Sequence, residues 1–518
     1  MNNRDANRWL ITLSVMLPTL IEILDTSVAN VSLPHIQGSL SAGQDEVTWV
    51  LTSYLVSNAI VIPMSGWLAR AFGRKRFLMG SIALFTVSSV FCGLATSLPE
   101  IVVFRVVQGM GGGGLQPMSQ AILLETFPPE ERGLAMGIFG MGVVLGPILG
   151  PLVGGYLTDN YSWRWIFYVN LPLGIVASIL ISLFVFDPHY QERRMQGEKI
   201  DYIGFSLLAL GLGSLQVVLD KGQRDDWFSS NFILSLSVIA IVCLVALVVR
   251  ELRQERPILD LRVFKDRSFA TGSTVMFLTF FSFLGSLVLL PLYLQTVMGY
   301  TAFLAGLVLG PGGAITLLML PLAGRLSERF DGRLLLAFGL VVTAYSIYYM
   351  AGFNGEIDFR TAVISRILQG IGMPFVFVAV AYLTMAYVPV EKMNNASGMF
   401  NLLRNLGGSF GIAFISTILE RRSQFHQYRL ADHLTPFNPN LSFPLEQMKS
   451  YLSLKMHGLT VHGHAAAAAI YHELQRQATI LAFSDAFFVQ AVILLALTGI
   501  VWIIRKPPSN HQSKALPH

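Results

Sequence analysis

The chain has 518 residues, of which 53% are hydrophobic and only 13% are charged, and its formal net charge is +5. Soluble domains carry about 25% charged residues, so this composition excludes a string of ordinary soluble domains and indicates a polytopic membrane protein. The positive charge requires no nucleic-acid partner, because basic loops beside membrane lipid also suit an anionic leaflet.

Fourteen apolar runs long enough to cross a bilayer follow one another along the chain. Lipid offers backbone groups no partner outside their own segment, so each run is predicted to be a helix. Lys and Arg concentrate in the loops that would be cytoplasmic if both termini face the cytoplasm. The runs are 10–33, 49–68, 77–97, 99–123, 134–157, 165–186, 202–219, 231–250, 270–296, 302–325, 334–352, 361–387, 395–418 and 480–504.

Two stretches recur about 260 residues apart and indicate a duplicated unit. "GWLARAFGRKR" resembles "GRLSERFDGR", which begins at Gly324, and "RVVQGMG" matches "RILQGIG". We therefore expect six-helix bundles at 10–186 and 261–504, a linker at 187–260 that carries two additional helices, and a cytoplasmic tail at 505–518.

A glycine-rich stretch inside the fourth run, "RVVQGMGGGGLQP" (105–117), has the G-x-G-x-x-G spacing of a dinucleotide-binding turn. That fingerprint requires a preceding strand in a βαβ unit, whereas this stretch lies within an apolar run. Its repeat copy keeps the Arg, the Gln and the first Gly but lacks the last glycines. We expect close packing of helices instead, for which small residues are the usual means in membranes.

The double "RxxQGxG", the basic loop after the second run, "GVVLGPILGPLVGG" (142–155) and "SWRWIFYVNLPLG" (162–174) resemble motifs of the major facilitator superfamily. With "ILDTSVANVSLP" (23–34), "LLRNLGGSFG" (402–411) and fourteen runs, the chain is similar to the fourteen-span drug:proton antiporter branch, of the EmrB multidrug efflux type. The resemblance implies an all-α polytopic membrane protein with the major facilitator fold, in which two extra helices join two six-helix bundles.

Two acids lie deep in the first run, Glu22 and Asp25, three residues apart and therefore on one face of a helix. A charged side chain inside a membrane costs about 2.5–3.5 kcal/mol at mid-depth, so an acid at this depth indicates a functional site. Arg105 in the fourth run lies at a similar depth, roughly 9–12 Å below the outer boundary at a rise of 1.5 Å per residue. We assign these three residues to proton coupling, because changes in exposure or pairing can load and release a proton. A purely structural role for Asp25 is the alternative, and the sequence leaves open which acid carries the proton.

The other motif residues are expected to pack helices. The resemblance marks 142–155 as the antiporter motif of the fifth helix, where we expect a bent, tightly packed interface between the halves. Basic loops set the orientation, with pairing of Arg74 or Lys75 across the halves as a further hypothesis. Arg366 and Arg404 are buried cations without an acid nearby in sequence; for Arg366 the alternatives are packing and binding of a substrate anion. The whole motif set is Arg105, Gln108, Gly109, Gly146, Pro147, Gly150, Gly154, Gly155, Gly66, Gly73, Arg74, Arg366 and Arg404.

The resemblance implies a central substrate cavity lined by the first and fourth helices and their second-half equivalents, with Met373 and Phe377 near the path. Apolar, adaptable cavities suit amphipathic compounds. The sparse polar groups expected to complete the cavity are Gln116, Asn58, Gln295 and Asn401.

A long segment, 420–478, is predicted to lie in the periplasm and to end in a helix over 465–478 that leads into the last span. Its six histidines lack clustered acidic or cysteine ligands, so we expect no metal site. Relatives of this type hand substrate to a periplasmic membrane-fusion adaptor and an outer-membrane channel, and this segment is the candidate docking surface.

The sequence therefore predicts export of amphipathic drugs or toxic compounds across the bacterial inner membrane, with the proton as coupling ion and no cofactor. The alternatives are a dedicated exporter of an endogenous siderophore, fatty acid or peptide, an importer, and a ligand-sensing receptor. An enzyme or an ATP-driven pump is not expected, because the chain has no H-E-x-x-H, no G-x-S-x-G and no G-x-x-x-x-G-K-[ST] motif.

Overall fold

The computed structural model describes residues 8–128, 131–187, 201–254, 257–432, 447 and 463–506, and within these ranges the chain is helical and contains no β-strand. The predicted all-α class is confirmed. We number the helices that match the predicted runs α1 to α14. They are α1 Arg8–Ser39, α2 Trp49–Phe72, α3 Arg74–Leu94, α4 in two parts Leu98–Gly112 and Leu115–Thr126, α5 Arg132–Asn160, α6 in two parts Trp165–Tyr168 and Asn170–Phe184, α7 Tyr202–Lys221, α8 Asn231–Arg253, α9 Arg267–Thr296, α10 Ala302–Arg329, α11 Gly332–Ala351, α12 Phe359–Met385, α13 Met393–Ala431 and α14 Gly463–Ile500.

Twelve helices in the described part of the chain are long and apolar enough to cross a membrane, so the protein is a multi-pass membrane protein. The other two predicted spans are α4 and α5. The α4 helix is divided near Gly113 and Gly114, and in α5 the shorter stretch Arg132–Gly146 is apolar. The count of fourteen crossings stays a prediction.

Short polar side chains begin several of the helices. Asp201 accepts from the Gly204 amide at 3.0 Å, and Asp266 accepts from the Phe269 amide at 2.8 Å. Asp358 starts α12 in the same way. These oxygens satisfy amides that the first turn of a helix leaves unpaired, and they fix where the long apolar helices enter the membrane region.

Each half of the molecule is a bundle, and the two halves meet along two seams. In the first half α1 packs on α5 and α6, and α4 packs on α2 and α3. In the second half α9 packs on α13 and α14, and α12 packs on α10 and α11. The seams are α2 against α13 and α5 against α10.

The repeated loop motif supplies the glycine at each seam. A Cβ atom on Gly66 of α2 would lie 2.8 Å from the Cα atom of Asn395 on α13. A Cβ atom on Gly324 of α10 would lie 2.9 Å from the carbonyl oxygen of Gly133 on α5. Both contacts lie towards the predicted cytoplasmic ends, so the two motif copies close the same side of the molecule.

Replacing Gly66 by Ala is expected to open the α2–α13 seam at its cytoplasmic end. The added methyl would overlap the Asn395 backbone, and such overpacking costs about 1–3 kcal/mol. We expect faster maleimide labelling of a cysteine introduced by Ser65→Cys, in a background with Cys92 and Cys243 replaced by Ser. Gly155→Ala is the control, because nothing lies within 4 Å of its Cβ position. Equal labelling of the Gly66→Ala and Gly155→Ala proteins would contradict the prediction.

In the extra pair α7 and α8, the α7 helix bridges the two halves, and α8 packs on α7. The α7 helix packs on both α2 and α13. Asp220 accepts from the Thr52 hydroxyl, whereas Gln216 donates to the Ser409 hydroxyl at 3.1 Å. Trp227, just after α7, donates to the Thr417 hydroxyl at 3.1 Å. The α7 helix and the residue Trp227 therefore cover the α2–α13 seam.

Pairing of Arg74 or Lys75 across the halves, expected from the sequence, is wrong. Arg74 pairs with Glu125 at the end of α4 in its own half, and Lys75 donates to the Ser182 carbonyl of α6 at 2.6 Å. Gly73 has a φ of 86°, a conformation that glycine adopts freely. It separates α2 from α3 and directs Arg74 inward.

The glycine run of α5 was expected to form an interface between the halves, but its later glycines pack on α1 of the same half. A Cβ atom on Gly146 would lie 2.3 Å from Ile23 Cγ2, and one on Gly150 would lie 2.1 Å from Ser27 Oγ, both on α1 of the same half. Gly137 faces α10 instead. Nine residues separate Gly137 from Gly146, and at 3.6 residues per turn they point to opposite sides of the helix. The seam and the α1 contact therefore use opposite faces of α5.

The predicted helix over 465–478 is confirmed as the start of α14. The central part of the candidate docking segment, 433–446 and 448–462, lies outside the described residues. Near the end of α13, Arg422 and His426 contact the Asp485 carboxylate of α14 at 2.6 and 2.7 Å. This cluster ties the two helices together where the long segment leaves and returns.

Candidate functional site

An ion pair lies at the centre of the first half. Arg105 Nη1 on α4 is 2.6 Å from Asp25 Oδ2 on α1, and the two side chains are 0% and 1% exposed. Their similar depth in the sequence predicts this contact. Buried charges of opposite sign compensate each other only at such short range.

Three helices hold the pair in place. Gln108 donates to Asp25 Oδ1 at 2.9 Å and accepts from Arg105 Nη1 at 2.9 Å. Asn170 on α6 donates to the same Asp25 oxygen at 2.7 Å. The guanidinium also donates to the Val50 carbonyl at 3.0 Å, and it stacks 4.3 Å from the Tyr54 ring centroid. Both oxygens of Asp25 are therefore occupied.

The small residues of α4 allow this close approach. A Cβ atom on Gly109 would lie 2.1 Å from Ser57 Oγ on α2, and one on Gly111 would lie 2.6 Å from the Phe85 amide nitrogen on α3. In the second half Gly370 and Gly372 face α10 and α11 in the same way. These contacts agree with the packing role expected for the glycine stretch, and no strand precedes it among the residues that the structure describes.

Glu22 has a different environment from Asp25. It is buried at 5% exposure, and its Oε1 accepts from the Asn58 amide at 3.0 Å. Its Oε2 makes no hydrogen bond, although the Gln116 side chain lies close by. The Arg404 guanidinium of the second half is within electrostatic reach. Glu22 is therefore an incompletely satisfied acid that faces the other bundle.

Polar pairs connect the halves beside Glu22. Arg404 on α13 donates to the side-chain Oε1 of Gln116 on α4. One helical turn away, Asn401 donates to the side-chain Oε1 of Gln120. The predicted cavity residues Asn58, Gln116 and Asn401 thus come together at the interface between the halves.

Aromatic rings adjoin this polar layer. Phe377 on α12 stacks on Phe139 of α5, with centroids 6.3 Å apart, and lies 6.4 Å from the Phe280 ring of α9. Arg404 lies 5.6 Å from the Phe280 ring. Met373 precedes Phe377 by one turn and is also buried. These residues form the apolar part of the interface.

Gln295 does not belong to this group, which corrects the sequence prediction. It is exposed in the last turn of α9. Fifteen residues separate it from Phe280, which corresponds to about 22 Å along a helix. A polar residue in an apolar run marks a buried site only when its depth matches that of its partners.

The second half repeats the geometry of the ion pair with one substitution. Arg366 donates to Gln369, and Gln369 donates to Ser286 Oγ on α9 at 2.8 Å. Positions 25 and 105 each shift by 261 to give 286 and 366, so Ser286 occupies the place of Asp25. Among the described residues, no carboxylate pairs with Arg366.

The sequence predictions missed several members of the site. Asn170 lies inside the "SWRWIFYVNLPLG" motif, where an amide in an apolar run was the available signal. Ser286 is indicated by adding the repeat offset to Asp25. Tyr54 offers no comparable signal, because tyrosine is common in membrane helices.

The profile described as "Major Facilitator Superfamily" matches residues 15–412. The Multidrug export protein EmrB of Haemophilus influenzae is 38% identical over 504 residues, covering 97% of this chain and 96% of the relative. The Fatty acid resistance protein FarB of Neisseria gonorrhoeae is 35% identical over 504 residues, with 97% of each chain covered.

A solved structure of the proton:xylose symporter XylE has a TM-score of 0.61 and 17% identity, covering 97% of this chain and 96% of that chain. This likeness supports the fold. Together with the paired bundles, the repeated motifs and the near-complete match to EmrB, it establishes that the chain belongs to the Major Facilitator Superfamily, a transporter family, in its EmrB-type branch.

Proposed function

We propose that the protein exports amphipathic compounds, including several chemically unrelated drugs, across the bacterial inner membrane in exchange for protons. The observation that carries this proposal is the environment of Glu22: a buried carboxylate at the interface of the halves with one oxygen that makes no hydrogen bond. A buried acid that lacks a hydrogen-bond donor on one oxygen is the group whose proton affinity changes most when its surroundings change.

Glu22 is the better proton carrier of the two acids. Asp25 has a guanidinium and two amides on its oxygens, so protonating it would break a satisfied buried network. Glu22 has one firm donor, Asn58. We therefore assign the proton to Glu22 and the fixing of α1 against α4 and α6 to the Asp25–Arg105 pair.

Alternating access supplies the coupling. When the halves rock, the second-half Arg404 moves relative to Glu22, and the loss of a nearby cation favours the neutral acid. A cationic compound that occupies the interface competes with the proton for the same acid. Binding of proton and substrate is then mutually exclusive, as exchange requires.

The substrate range rests on the aromatic layer and on the relatives. Rings of both halves meet at Phe139, Phe280 and Phe377, which suits large apolar skeletons. One relative is named for multidrug export. A second candidate function, export of fatty acids, draws on the relative named for fatty acid resistance.

A periplasmic adaptor and an outer-membrane channel complete the proposal. The α13 and α14 helices have 39 and 38 residues, or about 58 Å each at 1.5 Å per residue. A hydrocarbon core of about 30 Å leaves them long enough to project well beyond the membrane. We propose that this projection carries the adaptor-docking segment 420–478, with both termini in the cytoplasm.

Purified protein in liposomes tests the exchange. With an imposed pH gradient, we expect uptake of the dye Hoechst 33342 against its gradient and a simultaneous proton flux, read by entrapped pyranine. Nigericin in potassium buffer collapses the pH gradient and should stop both fluxes. Dye transport at an unchanged rate after nigericin would overturn the proposal.

A further inference from the structure

The Arg366 guanidinium of the second half is buried without a counter-ion among the described residues. Arg366 is 6% exposed, and its Nε makes no hydrogen bond. In the first half the corresponding Arg105 has the Asp25 carboxylate, whereas here Ser286 supplies only a hydroxyl. Arginine stays charged in proteins, and a buried cation without a counter-ion is costly.

Arg404, the other buried cation of the second half, is a less favourable site for an anion. It already has the Glu22 carboxylate within electrostatic reach and donates to Gln116. No acid of the described residues has a comparable influence on Arg366. The demand for an anion is therefore greatest at Arg366.

The helix that carries Arg366 also carries an apolar strip. Arg366, Gln369, Met373 and Phe377 share one face of α12, since they are spaced by three or four residues. Phe377 reaches the interface of the halves through Phe139. Eleven residues from Arg366 to Phe377 span about 16 Å, the length of an amphipathic molecule with a medium-length chain.

We propose that Arg366, with Gln369 and Ser286, binds the anionic head group of an amphipathic substrate whose apolar part extends along Met373 and Phe377. The site takes carboxylates, because a guanidinium offers two parallel donors that match two carboxylate oxygens. This inference rests on the proposed export function and adds an anionic substrate class to the cationic compounds that compete with the proton at Glu22. The bound anion supplies the negative charge that Asp25 supplies in the first half and that Ser286 lacks.

Calorimetric titration of the protein in nanodiscs tests the site without any proton gradient. The probes are para-octylbenzoate and the uncharged para-octylbenzyl alcohol, which have the same skeleton. We expect Arg366→Gln to weaken benzoate binding about 10-fold or more, as loss of a charged hydrogen bond does, and to leave alcohol binding unchanged. Arg366→Lys should retain part of the benzoate affinity.

Ser286→Asp tests the anion site while keeping Arg366 in place. It places a carboxylate where the first half has one, so it should pair with Arg366, preserve folding and weaken benzoate binding by a similar factor. Arg333→Gln is the control, because Arg333 pairs with Asp331 at the start of α11, outside the proposed site. It should leave benzoate binding within about 3-fold of the unmodified protein, a span that ordinary context effects cover.

Benzoate binding at full strength in both Arg366→Gln and Ser286→Asp would overturn the inference. So would unmodified protein that binds the two probes equally. Because these are equilibrium measurements, failure of proton-coupled transport would leave them unaffected, and the two proposals can fail separately.

Discussion

Replacing Glu22 by Gln is expected to abolish proton-driven accumulation while leaving the protein folded. The amide keeps an oxygen for the Asn58 donor but cannot bind and release a proton at this depth. One proton entering down 100 mV supplies about 2.3 kcal/mol, which at about 1.36 kcal/mol per decade supports roughly a fifty-fold substrate gradient. In liposomes, we expect the Glu22→Gln protein to reach a ratio of about one, while exchange of labelled for unlabelled dye continues.

A second buried carboxylate offers the matched control. Glu251, near the C-terminal end of α8, is 1% exposed and accepts from the Leu259 amide at 3.1 Å, away from the interface of the halves. Glu251→Gln should accumulate dye normally. If Glu22→Gln still built the full gradient, the assignment of the proton to Glu22 would be wrong. If both variants failed equally, the loss would reflect removal of any buried acid.

Replacing Arg105 by Gln is expected to destabilise the fold by about 3–5 kcal/mol, the cost of leaving one member of a buried pair unpaired. Asp25→Asn should have an effect of similar sign, because it leaves the guanidinium without its counter-ion. The double variant Asp25→Asn with Arg105→Gln should recover at least half of the loss, since neither charge is then stranded. Unfolding by sodium dodecyl sulfate, followed by tryptophan fluorescence, measures all three.

The Arg8–Glu131 pair serves as the control for this cycle. Its atoms are 2.5 Å apart, close to the 2.6 Å of the Arg105–Asp25 pair, but the side chains are 43% and 32% exposed. Exposed pairs contribute about 0–1 kcal/mol, so Arg8→Ala should change the free energy of unfolding by no more than that. Additive losses in the Asp25 and Arg105 double variant would show that the two residues act independently, contrary to the contact between them.

How far the sequence determined the site can be followed at particular residues. The depth of Asp25 and Arg105 was calculable, because a helix rises 1.5 Å per residue and the membrane fixes where each run begins. The contact partners of Gly66 and Gly324 followed less directly: the repeat indicated equivalent positions, but only folding shows that each faces the opposite half.

Other features depended on rotation about helix axes, which apolar runs do not encode. A run that is hydrophobic on all sides gives no face, so the sequence could not show that Gly146 turns to α1 while Gly137 turns to α10. Because the rotation of each helix is not encoded, the sequence also did not indicate the pairing of Arg74 with Glu125. It also left Glu22 and Asp25 indistinguishable, although their hydrogen-bonding environments differ.

The position of α7 against α2 and α13 gives the transporter a sidedness within the plane of the bilayer. A hydrophobic compound that diffuses laterally from the surrounding leaflet meets α7 on one flank of the protein. There α7 is hydrogen-bonded to both bundles through Asp220 and Gln216. On the opposite flank, α5 and α10 meet without that pair. In the proposed alternating-access cycle, movement of the two bundles would have to stretch or slide the contacts of α7 on this flank.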